Sequence, residues 1–314
     1  MQTVDIGRAV VDSRECGRPE RPIVRYHGGK WALAEWIISN FPAHRTYVEP
    51  FGGGASVLLR KVRSYAEVYN DRWDVIVNVF RVLRDPELAA ELKRRILLTP
   101  YARTEFEACE PWEALGQLRL RPFENLGDVE AARQTIFRSF SGFSSASTSA
   151  DYYTGFRARA GGDRGDGSQS QATPAARDWM HYAAQIDMFT ERLRGVLIEN
   201  RDWRELIPHI DHDEALFYVD PPYLAETRSL KSAMSPYVHE MDERDHRDLA
   251  KMLHAVKGMV VLSGYPSRLY DAELYAGWVR REKSGGLADG RGQRTEVLWL
   301  NPQAVENCAQ QRLF

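Results

Sequence analysis

The segment 218–227, YVDPPYLAET, places an acid, two prolines and a tyrosine directly after an apolar run. Proline holds the residue before it in extended geometry, so Asp220 and Pro221 leave the run along a stiff path. An ionised aspartate and the proline carbonyls only accept hydrogen bonds, which suits an –NH₂ group with two hydrogens to donate. Tyr223 adds a flat face, so the motif fits a pocket for an aromatic amine such as adenine N6. An Asp-Pro turn beside a core tyrosine is the structural alternative.

Two earlier motifs indicate a nucleotide site. In YVEPFGGGASVLLRK (47–61) a strand pattern ends, three glycines follow and a helical pattern begins. Glycines at such a turn let the backbone approach a ligand closely. In VYNDRW (68–73) a second strand pattern ends in Asp71, about 20 residues after the glycines, where nucleotide-binding α/β folds place an acid on the ribose hydroxyls. A turn without a ligand and a solvated acid are the alternatives.

A sheet has to position these motifs, and seven short β-rich runs predict one. They are TYVEP (46–50), EVYND (67–71), GVLIEN (195–200), ALFYVD (215–220), GMVVLSG (258–264), WVRREK (278–283) and TEVLWLN (295–301). Most are apolar and β-branched, as strands buried on both faces should be. Helical patterns at 31–41, 75–85 and 242–256 lie between them. The alternation predicts an α/β fold with a mostly parallel sheet.

The strand pattern stops between about residues 73 and 190. Its first part is helical in pattern, and the stretch 139–174 is rich in Ser, Gly and Arg, which predicts a long loop. A sheet interrupted in this way predicts a core domain that carries a second, recognition-type domain.

Composition limits the remaining classes of function. With 42 basic and 44 acidic residues the net charge is −2, less basic than many DNA-binding proteins, although one basic face can coexist with an acidic back. No apolar run approaches the ~20 residues of a membrane span, and the N-terminal residues lack an apolar signal core. The three cysteines (Cys16, Cys109, Cys308) are far apart and the eight histidines are scattered, which favours a reducing cytoplasm and predicts no metal site.

In this order the three motifs resemble those of the Dam-like N6-adenine DNA methyltransferases of the alpha group, which use S-adenosylmethionine. IVRYHGGKWAL (23–33) looks like the family's N-terminal motif, an aromatic residue followed by Gly-Gly-Lys. VEPFGGGASV (48–57) looks like its cofactor loop, Phe-x-Gly-x-Gly, but departs at the last glycine, which is Ala55 here.

The resemblance covers about residues 22–72 and 190–302. It implies a Rossmann-like S-adenosylmethionine-dependent methyltransferase core of class α/β. The core has a mostly parallel seven-stranded sheet with an antiparallel closing strand and carries an inserted, mainly helical target-recognition domain. We therefore expect a flexible N-terminal arm at 1–21, the catalytic domain at 22–72 and 190–314, and the recognition domain at 73–189.

The resemblance also implies which residues carry out catalysis. The expected catalytic residues are Asp220, Pro221, Pro222 and Tyr223. Asp220 and the Pro221 carbonyl would accept hydrogen bonds from the two N6 hydrogens of a flipped-out adenine, and Tyr223 would stack on the base. Asp220 would also stabilise the positive charge that develops on N6 during transfer.

A second implied set binds the cofactor. Its members are Tyr26, Lys30, Phe51, Gly53, Asp71, Asp202 and Asp220. Asp71 would accept from the ribose hydroxyls, Lys30 would meet the methionine carboxylate, and Asp202 would lie near the adenine amino group. A core tyrosine, a solvated lysine and a surface acid are the alternatives for Tyr26, Lys30 and Asp202.

The implied partner is double-stranded DNA, and neither a metal cofactor nor a membrane is expected. The protein is expected to be a cytoplasmic monomer or weak dimer. DNA contacts are expected from Arg138, Phe143, Arg157 and Arg159, in a segment that would order on DNA. Phe140, Phe143 or Tyr152 could wedge or stack; Phe140 and Phe143 could equally be core, and a solvated loop is the alternative for the arginines.

Other functions remain open at this point. N4-cytosine DNA methyltransferases use the same cofactor and amine chemistry, but more often carry Ser at the first position of DPPY, so Asp220 favours adenine. A methyltransferase acting on RNA or on a protein glutamine is a second alternative, and the protein type typically has Asn there. A non-catalytic nucleic-acid binder that retains the fold is the third. The recognition sequence, and whether the enzyme belongs to a restriction system, are not indicated.

Overall fold

The computed structural model describes residues 18–110, 127–143, 155–158, 174–227, 237–286 and 293–311. The strands are β1 Thr46–Glu49, β2 Ala66–Asn70, β3 Val196–Glu199, β4 Ala215–Val219, β5 Met259–Gly264, β6 Val279–Gly286 and β7 Gln293–Leu300. The α-helices are α1 Ala34–Ile38, α2 Ser56–Arg60, α3 Asp74–Arg84, α4 Pro86–Leu98, α5 Arg103–Glu107, α6 Gly127–Ser141, α7 Ala175–Met180, α8 Ile186–Leu193, α9 Trp203–Ile210, α10 Glu243–Ala255 and α11 Pro302–Gln311. Within these ranges no helix has the length and apolar character to span a membrane.

The strands form one sheet in the order β3-β2-β1-β4-β5-β7-β6. Every neighbouring pair is parallel except those of β7, which runs antiparallel to both β5 and β6. This confirms the predicted Rossmann-like sheet with its antiparallel closing strand. Each of the seven predicted runs forms a strand, and the bounds differ by a few residues. The apolar runs marked the strands well because β1, β4 and β5 are buried along their whole length.

Helices cover both faces of the sheet, and alternate residues of its central strands β1, β4 and β5 enter opposite cores. Tyr47 of β1 belongs to one hydrophobic cluster and its neighbour Val48 to the other. In the same way Tyr218 and Phe217 of β4 point to different clusters. This period of two is what a strand between two layers requires.

Helices of the predicted inserted domain share the first of these cores. Buried side chains of α4, α6 and α7, including Leu92, Phe137 and Trp179, belong to the same cluster as Tyr47 and Tyr218. These helices therefore pack with α3 and α8 over one face of the sheet. The domain bounds at 73 and 189 stay a prediction.

Two segments differ in detail from the sequence expectations. The helical pattern at 31–41 becomes a short helix, α1, because the preceding glycines form a turn and Leu33 at its N-cap makes no side-chain capping bond. Residues 1–17 of the expected arm lie outside the described residues. At its end, Arg21 lies 3.2 Å from Asp178 and 4.5 Å from the centre of the Phe140 ring, so this part of the chain is held against α6 and α7.

Candidate active site

Three acids stand at the carboxyl ends of three neighbouring strands. Glu49 ends β1, Asp71 follows β2 and Asp220 follows β4. The sheet order places β2, β1 and β4 side by side, and the direction in which strands are added reverses between β1 and β4. Open α/β sheets bind ligands at such a reversal, outside the carboxyl ends of the strands.

The loop between β1 and α2 is glycine-rich because aromatic rings lie against it. A Cβ on Gly52 would be 2.3 Å from the Tyr69 ring, and a Cβ on Gly53 would be 2.8 Å from the Tyr26 ring. Gly53 also has a positive φ of 47°. Ala55, at the position where the family pattern has glycine, adopts the left-handed conformation with φ 50° and ψ 36°. The loop thus keeps a left-handed backbone at Ala55 despite the side chain.

Asp71 binds the glycine loop directly. Its Oδ2 accepts a hydrogen bond from the Gly53 amide at 2.8 Å, and its Oδ1 accepts from the Trp73 amide at 2.8 Å. Burial raises the pKa of Asp71 to about 6, although these amides oppose the shift. A carboxylate with two oxygens has about four lone-pair positions. Asp71 can therefore hold the loop and still accept hydrogen bonds from a ligand.

A pocket opens above these strand ends. Of the predicted site residues, it is lined by Tyr26, Lys30, Phe51, Gly53, Asp71, Asp220 and Pro222. Pro221, Tyr223 and Asp202 do not line it. Asp202 instead caps helix α9 by accepting from the Arg204 amide at 2.9 Å, and it lies 3.5 Å from Arg72. The structure therefore shows a helix-capping role for Asp202, and its expected contact with adenine stays a prediction.

Sequence reasoning missed several lining residues, among them Glu49, Trp73, Arg201, Trp203, Tyr237 and His239. Glu49 is the most informative. It is buried, and its Oε1 accepts from the Tyr47 hydroxyl at 2.7 Å and from the Leu58 amide at 2.8 Å. Burial, with a smaller contribution from the charge of Asp220, raises the pKa of Glu49 to about 7. Its position as the last strand residue before the glycine loop was the available signal.

Both oxygens of Asp220 are held by the protein. Ser263 Oγ donates to Oδ1 at 2.8 Å, and Lys30 Nζ lies 2.9 Å from Oδ2. Lys30 also donates to the Gly28 carbonyl at 2.8 Å. Burial disfavours the ammonium, but Asp220 and Glu296 outweigh it and raise the pKa of Lys30. The carboxylates nearest to Lys30 are thus the protein's own, and its expected contact with the methionine carboxylate stays a prediction.

Tyr223 is 8% exposed and, unlike Asp220, does not line the pocket. Its hydroxyl donates to the carboxylate of Glu296 on β7, and the Tyr265 ring meets it edge-on at 4.6 Å between centroids. Lys30 Nζ lies 4.7 Å from the ring centroid. The sequence signal for Glu296 was a carboxylate within the apolar run TEVLWLN.

The expected DNA contacts fall into different environments. Phe143 is 64% exposed, whereas Phe140 is 4% exposed and packs in the core, which removes it as a wedge. The Phe143 amide donates to the Gly155 carbonyl at 2.9 Å, so the segment that carries Arg157 pairs with the end of α6. Arg138 donates to the Glu110 carbonyl at 2.7 Å. Arg159 and Tyr152 lie outside the described residues.

Among the His, Cys, Asp and Glu side chains in the described ranges, no group of three or more is arranged to hold a metal ion.

A family model described as D12 class N6 adenine-specific DNA methyltransferase matches residues 26–283. The matched span contains the glycine loop, Asp71 and the DPPY motif, and it ends before Glu296. No curated protein matches the chain.

Proposed function

The chain belongs to the D12 class of N6 adenine-specific DNA methyltransferases, and from that premise we propose how its residues bind the cofactor and carry out the transfer. The protein is a DNA (adenine-N6)-methyltransferase that uses S-adenosylmethionine and acts on DNA. The family match supports adenine as the substrate base, as Asp220 indicated, and does not favour the N4-cytosine or non-catalytic alternatives.

The lining of the pocket fits S-adenosylmethionine, which when bound supplies an electrophilic methyl group. Asp71 offers acceptors for ribose hydroxyls beside the glycine loop it holds. The Phe51 and Trp203 rings, 6.3 Å apart, offer apolar faces for an adenine ring. Glu49 offers a carboxylate at the end of β1 for the amino group of the methionine part. Tyr26 packs on Gly53 and shapes the loop on which the cofactor would lie.

Asp220 carries the proposed chemistry. Its carboxylate stands at the carboxyl end of β4 with Oδ1 fixed by Ser263, and this fixed acceptor is the observation on which the proposal rests. The N6 lone pair of adenine is delocalised into the ring and is a poor nucleophile. Accepting an N6 hydrogen at Asp220 favours a more tetrahedral nitrogen and stabilises the positive charge that forms as the N–CH₃ bond is made. The methyl donor is left as a neutral thioether when its S–CH₃ bond breaks, and one N6 proton then passes to water.

The remaining DPPY residues act around this carboxylate. Pro222 lines the pocket and Pro221 is buried, which keeps the exit from β4 rigid. The Pro221 carbonyl is proposed as the second acceptor for N6. Tyr223 is proposed to stack on the flipped base, which requires Lys30 to move from its place near the ring.

The exposed Phe143 and the adjacent Arg157 form the proposed DNA-contacting surface, together with Arg138. Arg157 lies on the segment paired with the end of α6, and its carbonyl accepts from Tyr101 at 2.9 Å. A guanidinium is suited to phosphates and to guanine edges.

Two variants of one residue test the proposal. In Asp220→Ala and Asp220→Asn, methyl transfer to DNA should fall by about 10²-fold or more while cofactor binding, measured separately, changes much less. Asp213→Asn, an exposed acid just before β4, is the matched control and should behave as the parent. Transfer near the parent rate in both Asp220 variants would refute the assigned role. Digestion of the product DNA should yield N6-methyladenine.

A further inference from the structure

Glu296 is a buried carboxylate whose position the proposed chemistry does not yet explain. It is 6% exposed and lies on β7, next to the buried Val297 and opposite Lys283 of the partner strand β6. Burial raises its pKa, although the charge of Lys30 opposes the shift. A buried carboxylate costs free energy unless charges and hydrogen bonds compensate it. Its compensating partners are Tyr223 and Lys30, both in the active site.

The ammonium of Lys30 lies near two carboxylates and is closer to Asp220 than to Glu296. Its Nζ is 2.9 Å from Asp220 Oδ2 and 3.7 Å from Glu296 Oε1. Among the described residues, the Gly28 carbonyl is a further close acceptor for Lys30. The side chain is 6% exposed, so water contributes little to its solvation. One cation and two anions therefore share a buried site, and a short movement of the ammonium changes which anion it neutralises.

The proposed transfer makes this movement necessary. Ser263 fixes Oδ1 of Asp220, so the proposed acceptor of the adenine amine is Oδ2, the oxygen that Lys30 Nζ approaches to 2.9 Å. As the N–CH₃ bond forms, N6 becomes positive, and an ammonium on the same carboxylate would repel it. The ammonium also lies near the Tyr223 face on which the base would stack. Transfer therefore requires another anion that can receive Lys30.

We propose that Glu296 is a positioning residue for methyl transfer: it holds the Tyr223 hydroxyl and receives Lys30 when the target amine reaches Asp220. This inference rests on the proposed role of Asp220 as the acceptor of the amine. Through its bond to Tyr223 and its proximity to Lys30, Glu296 couples the position of the ring to that of the cation.

The test compares Glu296→Gln, Lys30→Met and the double variant. Glutamine retains an acceptor for Tyr223 but lacks the charge that attracts Lys30, so Lys30 remains on Asp220. We expect kcat of Glu296→Gln to fall by about 30-fold or more, with cofactor affinity within about threefold of the parent. Adding Lys30→Met removes the misplaced cation, so at saturating cofactor the kcat of the double variant should be about tenfold above that of Glu296→Gln.

Glu282→Gln is the matched control, because Glu282 is an exposed acid on the facing strand β6 and pairs with Arg280. It should keep the parent kcat. The inference is overturned if Glu296→Gln retains kcat within about threefold, if it loses cofactor binding as a misfolded variant would, or if the double variant is no more active than Glu296→Gln. Asp220→Asn, assayed in parallel, separates the two proposals: an inactive Asp220→Asn beside a fully active Glu296→Gln overturns only the role of Glu296.

Discussion

Asp71 Oδ2 accepts the Gly53 amide hydrogen at 2.8 Å and thereby joins the end of β2 to the loop after β1. The Tyr69 hydroxyl, also on β2, donates to the Gly53 carbonyl at 2.8 Å. Both polar backbone groups of Gly53 are thus held by β2. The acid proposed for the ribose and the loop proposed for the rest of the cofactor act as one unit.

Asp71→Asn should weaken cofactor binding more than it weakens the fold. The amide can accept from one of the two backbone donors but loses the charge, so S-adenosylmethionine affinity should fall by about 10- to 100-fold. Titration calorimetry on the parent and variant measures the change. Glu199→Gln, at the end of β3 and absent from the pocket lining, should bind the cofactor as the parent does. Equal affinity of Asp71→Asn and parent would contradict the assigned role.

Stability should depend on pH through Glu49. Its pKa in the fold is about 7 against an ordinary 4.5, so the folded state binds this proton more tightly than the unfolded chain. The free energy of unfolding should therefore fall as pH rises from about 4.5 to about 7. Asp71, with a pKa of about 6, contributes in the same direction.

Glu49→Gln isolates the contribution of that residue, because glutamine can still accept from Tyr47 and Leu58. Relative to the parent, the variant should become more stable by about 1–3 kcal/mol between pH 5 and pH 8. Urea unfolding at both pH values, without cofactor, measures this difference. A difference that does not change with pH would show that Glu49 does not titrate as described.

Two substitutions in the glycine loop should have unlike effects. Gly53→Ala drives a Cβ to within 2.8 Å of the Tyr26 ring at a positive φ, and should cost about 2 kcal/mol or more together with cofactor binding. Ala55→Gly relieves a left-handed alanine but loses a buried methyl group and adds unfolded-state entropy, so the terms nearly cancel and the net change should stay within about 1 kcal/mol. Thermal unfolding with and without S-adenosylmethionine distinguishes the two. Similar losses in both would mean that the approach of Tyr26 does not constrain the loop.

Phe143 and Arg157 should affect DNA binding and leave the cofactor site unchanged. Arg157→Ala should lower DNA affinity for all sequences and reduce the slope of log K against log salt by about 1, as expected for one lost phosphate contact. Phe143→Ala should weaken DNA binding at every salt concentration without changing that slope. Fluorescence anisotropy with a labelled duplex at several salt concentrations measures both. Arg194→Ala, an exposed arginine after α8, is the control for loss of one positive charge.

The sequence predicted the strands and their acids because these depend on local pattern. Buried parallel strands are continuous apolar runs, and Asp71 and Asp220 directly follow such runs. The sequence did not show which of Phe140 and Phe143 is buried, because their burial depends on α6 ending at Ser141. Phe140 falls within the helix and on its buried side, whereas Phe143 follows the helix and is exposed.

The pairing around Lys30 was beyond local pattern. Glu296 meets Lys30 because β7 lies between β5 and β6. The order of the strands along the chain would instead place β6 next to β5. The helix-capping role of Asp202 was missed for a related reason. The residue before WRELI can cap a helix or face a ligand, and only the observed bonds to Arg204 show the capping role.

The location of Glu296 on β7 has a consequence for biosynthesis. A ribosome synthesises Lys30, the glycine loop and Asp71 first, Asp220 much later, and Glu296 later still. Contacts between segments so far apart form late and slowly. A nascent chain could therefore build much of its cofactor pocket before the carboxylate partner of Lys30 has been synthesised. Full methylating activity would then be reached only after the hairpin of β6 and β7 has docked and brought Glu296 to Lys30.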